Sequence, residues 1–87
     1  MPYRIEFTPR AEREIKKLPH QVQDDLREAI SNLGTNPRPP RVEKMKGYPW
    51  FKIRVGDYRV VYEIQDKVLL VLIIRVGDRK EVYRNLP

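Results

Sequence analysis

The sequence contains no cysteine, a single histidine and only four glycines among its 87 residues. Without cysteine, the chain can form no disulfide, thiolate metal centre, iron–sulfur cluster or cysteine nucleophile, which suits a reducing compartment. With His20 alone, neither a two-histidine metal site nor a paired-histidine nuclease is possible. The glycines form no phosphate-binding loop, and no serine–histidine arrangement occurs. Any catalysis must therefore use other side chains, and we expect no metal or cofactor.

Long apolar stretches are also missing. The longest, Val68–Ile74, is far shorter than the roughly 18 residues that a membrane-spanning helix needs, and the start of the chain has no apolar signal-peptide core. A chain of 87 residues supports one modest hydrophobic core. We therefore expect a soluble cytoplasmic protein without membrane contact, with residues 1–87 forming one domain.

Positive charge is what the sequence has in excess, and it is unevenly distributed. The formal net charge is +6. Residues 1–37 carry no net charge, residues 38–59 carry +5, residues 60–74 carry −1 and residues 75–87 carry +2. A basic second half suits a polyanionic partner such as nucleic acid. Composition alone also allows a basic surface that serves only solubility.

The first half of the chain has the pattern of one strand and two helices. Tyr3–Phe7 alternates polar and apolar residues, as a strand does. Thr8-Pro9 provides a helix N-cap and a proline at the first helical position, and Pro19 ends this first helix. His20–Leu33 carries an apolar stripe with helical spacing, and Gly34 is expected to form its C-terminal cap.

The second half predicts three strands. Trp50–Val55 and Tyr58–Ile64 alternate around Gly56-Asp57, which fits a type II′ hairpin turn. After a weaker turn at Asp66-Lys67, Val68–Ile74 has the pattern of a strand buried on both faces, and hence central to the sheet. We therefore predict an α+β fold of order β-α-α-β-β-β. Two N-terminal helices pack on one face of a small, mainly antiparallel, four-stranded sheet.

The predicted hairpin separates its side chains into an apolar face and a cationic face. The turn pairs Arg54 with Arg59 and Lys52 with Val61. Because side chains alternate along a strand, these three cations share one face. The other face, expected to meet the helices, takes Phe51, Ile53, Val55, Tyr58, Val60 and Tyr62. This assignment depends on the turn, since a slip of one residue would reverse it.

Like charges placed opposite each other destabilise a sheet, so the clustered cations suggest a bound anion. Each cation taken singly would be an ordinary solvated side chain. Trp50 counts back to the cationic face, where it is either a base-stacking platform or an amphipathic residue at the sheet edge.

Together these segments resemble the RelE family of toxins from type II toxin–antitoxin pairs. The resemblance covers nearly the whole chain, and GDYRVVYEI and VGDRKEVY are its most specific stretches. It implies a small curved sheet backed by two N-terminal helices. Members of the messenger-cleaving branch enter the ribosomal A site and cut the codon there. The further matching segments are Phe7-Thr8-Pro9, Lys46-Gly47 and Phe51-Lys52-Ile53-Arg54.

The resemblance also implies a catalytic set. Carried over by position, the set of the messenger-cleaving branch falls on Lys52, Arg54, Arg59, Arg79 and Tyr83. The departure is Arg54, because the better-known members have a second lysine at this position. A guanidinium keeps the positive charge but cannot give up a proton in a protein.

The implied reaction is attack of the RNA 2′-hydroxyl on its own 3′ phosphate, which leaves a 2′,3′-cyclic phosphate and a 5′-hydroxyl. Lys52 is the candidate base, because neighbouring cations disfavour its charged form, and Tyr83 is the second candidate. Arg54 and Arg59 would hold the phosphate. Arg79 matches the family's proposed proton donor, but a guanidinium suits an electrostatic role better. Other candidate RNA contacts are Arg38, Arg41, Lys44, Lys46, Trp50, Lys80 and Arg84.

The implied partners are a RelB-like antitoxin, the ribosome with its A-site messenger and ribosomal RNA, and operator DNA bound through the antitoxin. Two alternatives remain open. ParE-like toxins of the same fold poison DNA gyrase and are not nucleases, and a non-catalytic RNA-binding module would use the same cations without cleavage.

Overall fold

A computed structural model describes residues 2–82 of the chain. It has two helices and a five-stranded sheet, in the predicted α+β class. Within the described range, no helix is long and apolar enough to cross a membrane. The elements in chain order are β1 (Arg4–Phe7), α1 (Pro9–Lys16), α2 (His20–Thr35), β2 (Glu43–Lys44), β3 (Phe51–Val55), β4 (Tyr58–Gln65), a 3-10 turn (Asp66–Val68) and β5 (Leu70–Asp78).

The strand order across the sheet is β1-β5-β4-β3-β2. Three of the four pairings are antiparallel and only β1 runs parallel to β5, which confirms the mainly antiparallel sheet. The predicted count of four strands was one short. The missing strand, β2, has only two residues. That length is too short for the alternation of polar and apolar residues by which a strand is predicted from sequence.

Helix α1 begins as predicted. The Thr8 side-chain oxygen accepts a hydrogen bond from the Ala11 amide at 3.1 Å, and Pro9 takes the first helical position.

Helix α2 runs two residues further than the sequence indicates. Gly34 lies inside it and is buried, so the prediction that Gly34 caps the helix was wrong. Its carbonyl accepts a hydrogen bond from the Tyr3 amide at 2.7 Å, and a Cβ there would come 3.0 Å from the Tyr3 carbonyl oxygen. Because glycine has no side chain, β1 can approach α2 closely at this position. Asn36 forms the C-terminal cap instead.

The last strand is also displaced from its prediction. Val68 lies in the 3-10 turn and is the one large hydrophobic residue among those described that is mostly exposed, at 54%. The strand starts at Leu70, after Leu69 takes a left-handed conformation with φ of 52°. Its predicted interior place is confirmed, since β5 lies between β1 and β4.

Two clusters of buried side chains cover the two faces of the sheet. The larger lies between the helices and the predicted apolar face of the hairpin, and it includes Ile53, Val60 and Tyr62. The smaller lies on the opposite face, where Met45, Val61 and Val82 pack together with Ile74 and two aromatic rings. The face away from the helices is therefore a partly covered surface with its own small core.

Candidate nucleic-acid interface

The β3–β4 hairpin has the predicted register at all five pairs. Arg54 lies opposite Arg59, and Lys52 lies opposite Val61. At the turn, Gly56 has a φ of 60°, and Asp57 is not among the described residues with positive φ, as a type II′ turn requires. The three cations of the hairpin therefore share the face that lies away from the helices, and we call Lys52, Arg54 and Arg59 the cation trio.

Backbone carbonyls at the hairpin turn hold the two arginines of the trio. Arg54 Nε donates to the Gly56 carbonyl oxygen at 3.1 Å, and Arg59 Nη1 donates to the Tyr58 carbonyl oxygen at 3.3 Å. A guanidinium has five N–H groups, so a single bond to the backbone leaves most of its donors for a phosphate. Arg54 is exposed and Arg59 half-buried, so an anion can reach both.

Lys52 has an acidic neighbour that the sequence did not reveal. Its Nζ lies 3.9 Å from a carboxylate oxygen of Glu43, which is its cross-strand partner in β2. The Lys52 side chain is 23% exposed and that of Glu43 is 69% exposed. Lys52 therefore has an anion beside it as well as the neighbouring cations on which its expected role as base depends. Because β2 was not predicted, its register against Lys52 was not predictable either.

The segment after β5 folds back toward the cation trio. Gly77 pairs with Arg59 across the sheet. Asp78 then stabilises a turn, since one of its carboxylate oxygens accepts the amides of Lys80 at 2.9 Å and Glu81 at 2.8 Å. Arg79 is exposed in this turn, two residues beyond the partner of Arg59.

Val82, at the end of the described range, closes this turn and joins the small core. Its amide donates to the Asp78 carbonyl oxygen at 3.1 Å. Its side chain is fully buried in the same cluster as Val61, the cross-strand partner of Lys52. The chain therefore returns to the face of the trio just before Tyr83. Tyr83 and Arg84, both predicted site residues, lie outside the described residues.

The other predicted RNA contacts lie in different parts of the fold. Arg38 and Lys44 lie 5.7 and 5.8 Å from the centre of the Phe51 ring, which packs against the helix-side core. They are therefore separated from the trio. Lys46 and Lys80 are exposed, and Trp50 precedes β3 and packs beside Val61, on the face of the trio as predicted.

Arg41 lies elsewhere, in a groove of about 810 Å³ between α2 and the outer edge of β3. Its backbone takes a φ of 72°, unusual for a residue other than glycine. Arg54 lines the same groove, so the surface of the trio continues around the edge of the sheet. Within residues 2–82, no three histidine, cysteine or carboxylate side chains come together as a metal site would require.

A cluster of hydrogen bonds at Asp66 shifts the pKa values of its members. Arg38 donates two hydrogen bonds to Asp66, at 3.2 and 2.9 Å, and Tyr3 donates one at 2.6 Å. These bonds, that of Arg38 first, lower the pKa of Asp66, and they raise the pKa values of Arg38 and Tyr3. Burial raises the pKa of Tyr62 to about 12. Its hydroxyl donates to the Pro37 carbonyl oxygen at 2.7 Å. These groups attach the proline-rich connection between α2 and β2, residues 36–40, to the sheet.

Comparison with known proteins places this surface in context. The family model described as ParE toxin of type II toxin-antitoxin system, parDE, matches residues 5–83. Toxin RelG of Mycobacterium tuberculosis is 37% identical over 98% of this chain and 100% of its own length. The mRNA interferase toxin RelE of Escherichia coli is 34% identical over 95% of this chain and 92% of its own.

Solved structures are similar over the same range. The toxin–antitoxin complex RelBE2 from Mycobacterium tuberculosis contains a chain with a TM-score of 0.77 and 35% identity to this one. The match covers 91% of this chain and all of that one. The architecture described above is thus also found in toxins that have been solved with a bound antitoxin.

Proposed function

This chain belongs to the ParE toxin family of type II toxin–antitoxin systems and is a RelE-like toxin, and from that membership we propose that it cleaves messenger RNA on the ribosome. The observation that supports this most directly is the hairpin register. It gathers the cation trio on one face of the sheet, and the turn that carries Arg79 returns to that face. The similar Escherichia coli protein, 34% identical, is named an mRNA interferase.

The chemistry that fits these side chains is attack of a ribose 2′-hydroxyl on the adjacent 3′ phosphate. The 2′-oxygen loses its proton and bonds to phosphorus, and the bond from phosphorus to the 5′-oxygen breaks. The leaving 5′-oxygen then takes up a proton. The products are a 2′,3′-cyclic phosphate and a 5′-hydroxyl.

In this proposal each cation has a distinct role. Lys52, in its neutral amine form, takes the proton from the 2′-hydroxyl. Arg54 and Arg59 bind the phosphate, and they stabilise the extra negative charge of the pentacovalent transition state. Arg79 adds positive charge beside the leaving oxygen. Tyr83, which directly follows Val82, is the second candidate for proton transfer or for holding the target base.

The proposal also includes partners. Solved chains similar to this one are in complexes of RelE with its antitoxin RelB, one from Escherichia coli with 32% identity and a TM-score of 0.78. We propose a RelB-like antitoxin for this chain, with operator DNA bound through that antitoxin. The ribosome would position the messenger in its A site, in the cytoplasm, so free RNA should be cut poorly.

A second candidate function is poisoning of DNA gyrase, because the matching family model carries the ParE name. The joint presence of the trio, Arg79 and Tyr83 favours the nuclease. A non-catalytic RNA-binding module would share the electropositive face. In that case, substitutions in the trio would weaken binding and its salt dependence without any cleavage to abolish.

Mapping of messenger 5′ ends on programmed ribosomes tests the proposal. Lys52→Ala and Arg59→Ala should each slow cleavage by about 100-fold or more, since they remove proton transfer and charge stabilisation. Tyr83→Phe should slow it too. Arg27→Ala is the matched control, because it removes one positive charge from an exposed site on α2, and it should cleave like the unaltered protein.

The outcomes separate the candidates. Full activity in all three site variants would refute the catalytic assignment. Intact messengers together with broken DNA in cells that lack the antitoxin would support the gyrase candidate. Binding to ribosomes without new 5′ ends would support the non-catalytic module.

A further inference from the structure

Two aromatic rings lie parallel in the loop between β2 and β3. The ring centres of Tyr48 and Trp50 are 5.1 Å apart, and their planes differ by 12°. The loop is closed by hydrogen bonds from the Met45 amide to the Trp50 carbonyl at 2.9 Å and from the Tyr48 amide to the Met45 carbonyl at 3.3 Å. Gly47, with a φ of 84°, allows the bend. The backbone therefore presents the two rings as one stacked unit.

This aromatic pair lies on the face of the cation trio. Both rings pack against the small core that contains Val61 and Val82. Val61 is the cross-strand partner of Lys52, and directly opposite residues in an antiparallel sheet point to the same side. The aromatic pair, Lys52 and the end of the C-terminal turn, residues 78–82, therefore all lie around Val61.

The surroundings of the pair suit nucleic acid better than a second apolar surface. Each ring is only half-buried. Lys46 lies exposed in the same loop, and Lys52 lies opposite Val61, against whose cluster the rings pack. Aromatic rings bordered by cations are the means by which proteins bind single-stranded nucleic acid, with bases stacking on the rings and cations following the phosphates.

We propose that Tyr48 and Trp50 form a stacking platform for one nucleobase of the RNA whose phosphate the trio binds. This inference builds on the proposed function and adds a base-binding subsite to it. Every base has a π-face, so such a platform binds bases without strong sequence preference. Stacking one base would position the chain of the RNA relative to Lys52.

Trp50 makes the platform directly observable, since it is the only tryptophan in the chain. The probe is a short single-stranded 2′-O-methyl oligoribonucleotide, which cannot undergo 2′-hydroxyl attack. The comparison probe has the same number of phosphates but abasic sugars. Binding of both is followed by anisotropy of a dye on the oligonucleotide. The intrinsic fluorescence of Trp50 is recorded in the same titration, at low salt.

The base-containing probe should quench Trp50 and the abasic probe should not, although both bind through their phosphates. Trp50→Ala should weaken binding of the base-containing probe by about 5- to 150-fold, as expected for loss of one stacked base. Trp50→Phe should restore most of it, because phenylalanine also stacks and fills the small core. Thermal unfolding of each variant shows whether the fold persists.

Equal quenching by both probes, or binding without any quenching, would overturn the platform and leave the proposed cleavage untouched. If neither probe binds detectably, the platform is tested instead by measuring cleavage on programmed ribosomes. Trp50→Ala should then require a higher protein concentration for half-maximal cleavage, and Trp50→Phe should not. An unchanged concentration dependence would reject the inference. Failure of the proposed function looks different, since the unaltered protein would then make no cuts.

Discussion

At the scale of single residues, Glu14 has a role that no motif indicates. One of its carboxylate oxygens accepts Arg75 Nε at 2.9 Å, and the other accepts the Val76 amide at 2.9 Å. Arg75 is only 4% exposed, and its Nη2 donates to the Glu81 carbonyl oxygen at 3.0 Å. A buried guanidinium thus joins α1 to the turn that carries Arg79. Such a charge is tolerated only when it is paired and hydrogen-bonded.

The first prediction concerns this pair. Glu14→Gln keeps the size of the side chain but removes the charge opposite buried Arg75, so the free energy of unfolding should fall by about 1–3 kcal/mol. Glu12→Gln is the control, because Glu12 pairs with Lys16 on the exposed side of the same helix. Its loss should be below about 0.5 kcal/mol. Urea denaturation measures the free energy of unfolding of both variants. Equal decreases would show that the buried pair stabilises the fold no more than the exposed pair does.

At the scale of elements, the hairpin and α2 differ in how far local pattern determines them. The hairpin follows from alternation and a two-residue turn, so its register and the face of the trio were predicted correctly. The end of α2 follows from packing. Glycine is a common helix terminator, yet Gly34 continues the helix because β1 passes so close to it. Local propensity and tertiary contact give opposite expectations there, and the contact prevails.

Gly34→Ala tests that explanation. Alanine is favoured over glycine within a helix by about 1 kcal/mol. The new Cβ would nevertheless lie 3.0 Å from the Tyr3 carbonyl oxygen, a backbone atom of the residue whose amide donates to the Gly34 carbonyl. We therefore expect a lower melting temperature. Ser31→Ala, at an exposed position of α2, should leave it unchanged or raise it slightly. A higher melting temperature for Gly34→Ala would mean that β1 can shift away from the new Cβ at little cost.

At the scale of the whole molecule, the two faces of the sheet carry different sets of side chains. The helices and the larger core cover one face, while the other carries the trio, the aromatic pair and the C-terminal turn over a small core. One exposed cluster ties distant segments of this arrangement together. Asp66, beside β5, binds Arg38 of the proline-rich connection and Tyr3, the residue before β1. Its lowered pKa makes this attachment sensitive to acid.

The direction of that sensitivity follows from the shift. Because the pKa of Asp66 is lower in the folded protein than its ordinary value of 3.8, the unfolded chain takes up the proton first. The stabilisation is therefore complete above about pH 4 and is lost as the pH falls toward the folded pKa. Asp66→Asn should make the melting temperature less dependent on pH below about 4.

A matched pair of arginine variants checks the cause. Arg38→Gln removes the main reason for the shift, so it should flatten the acid dependence as Asp66→Asn does. Arg27→Gln makes the same change of charge on the exposed face of α2 and should keep the dependence of the unaltered protein. If both arginine variants behave alike, the acid sensitivity arises elsewhere. High salt should weaken the effect, because the ion pair is exposed.

The sequence by itself determined the fold class, the hairpin register and the face on which Lys52, Arg54 and Arg59 lie. These features follow from period-two alternation and turn chemistry, which act between residues close in the chain. Only the tertiary structure decided that Glu43 lies beside Lys52, that Val82 returns to Val61 and that Glu14 pairs with Arg75. The residues of the last contact are 61 positions apart, and local patterning carries no information about such distant partners. The +6 charge favours a polyanionic partner, and the hairpin register already places three of the cations on one face; packing adds the turn that carries Arg79 to that face.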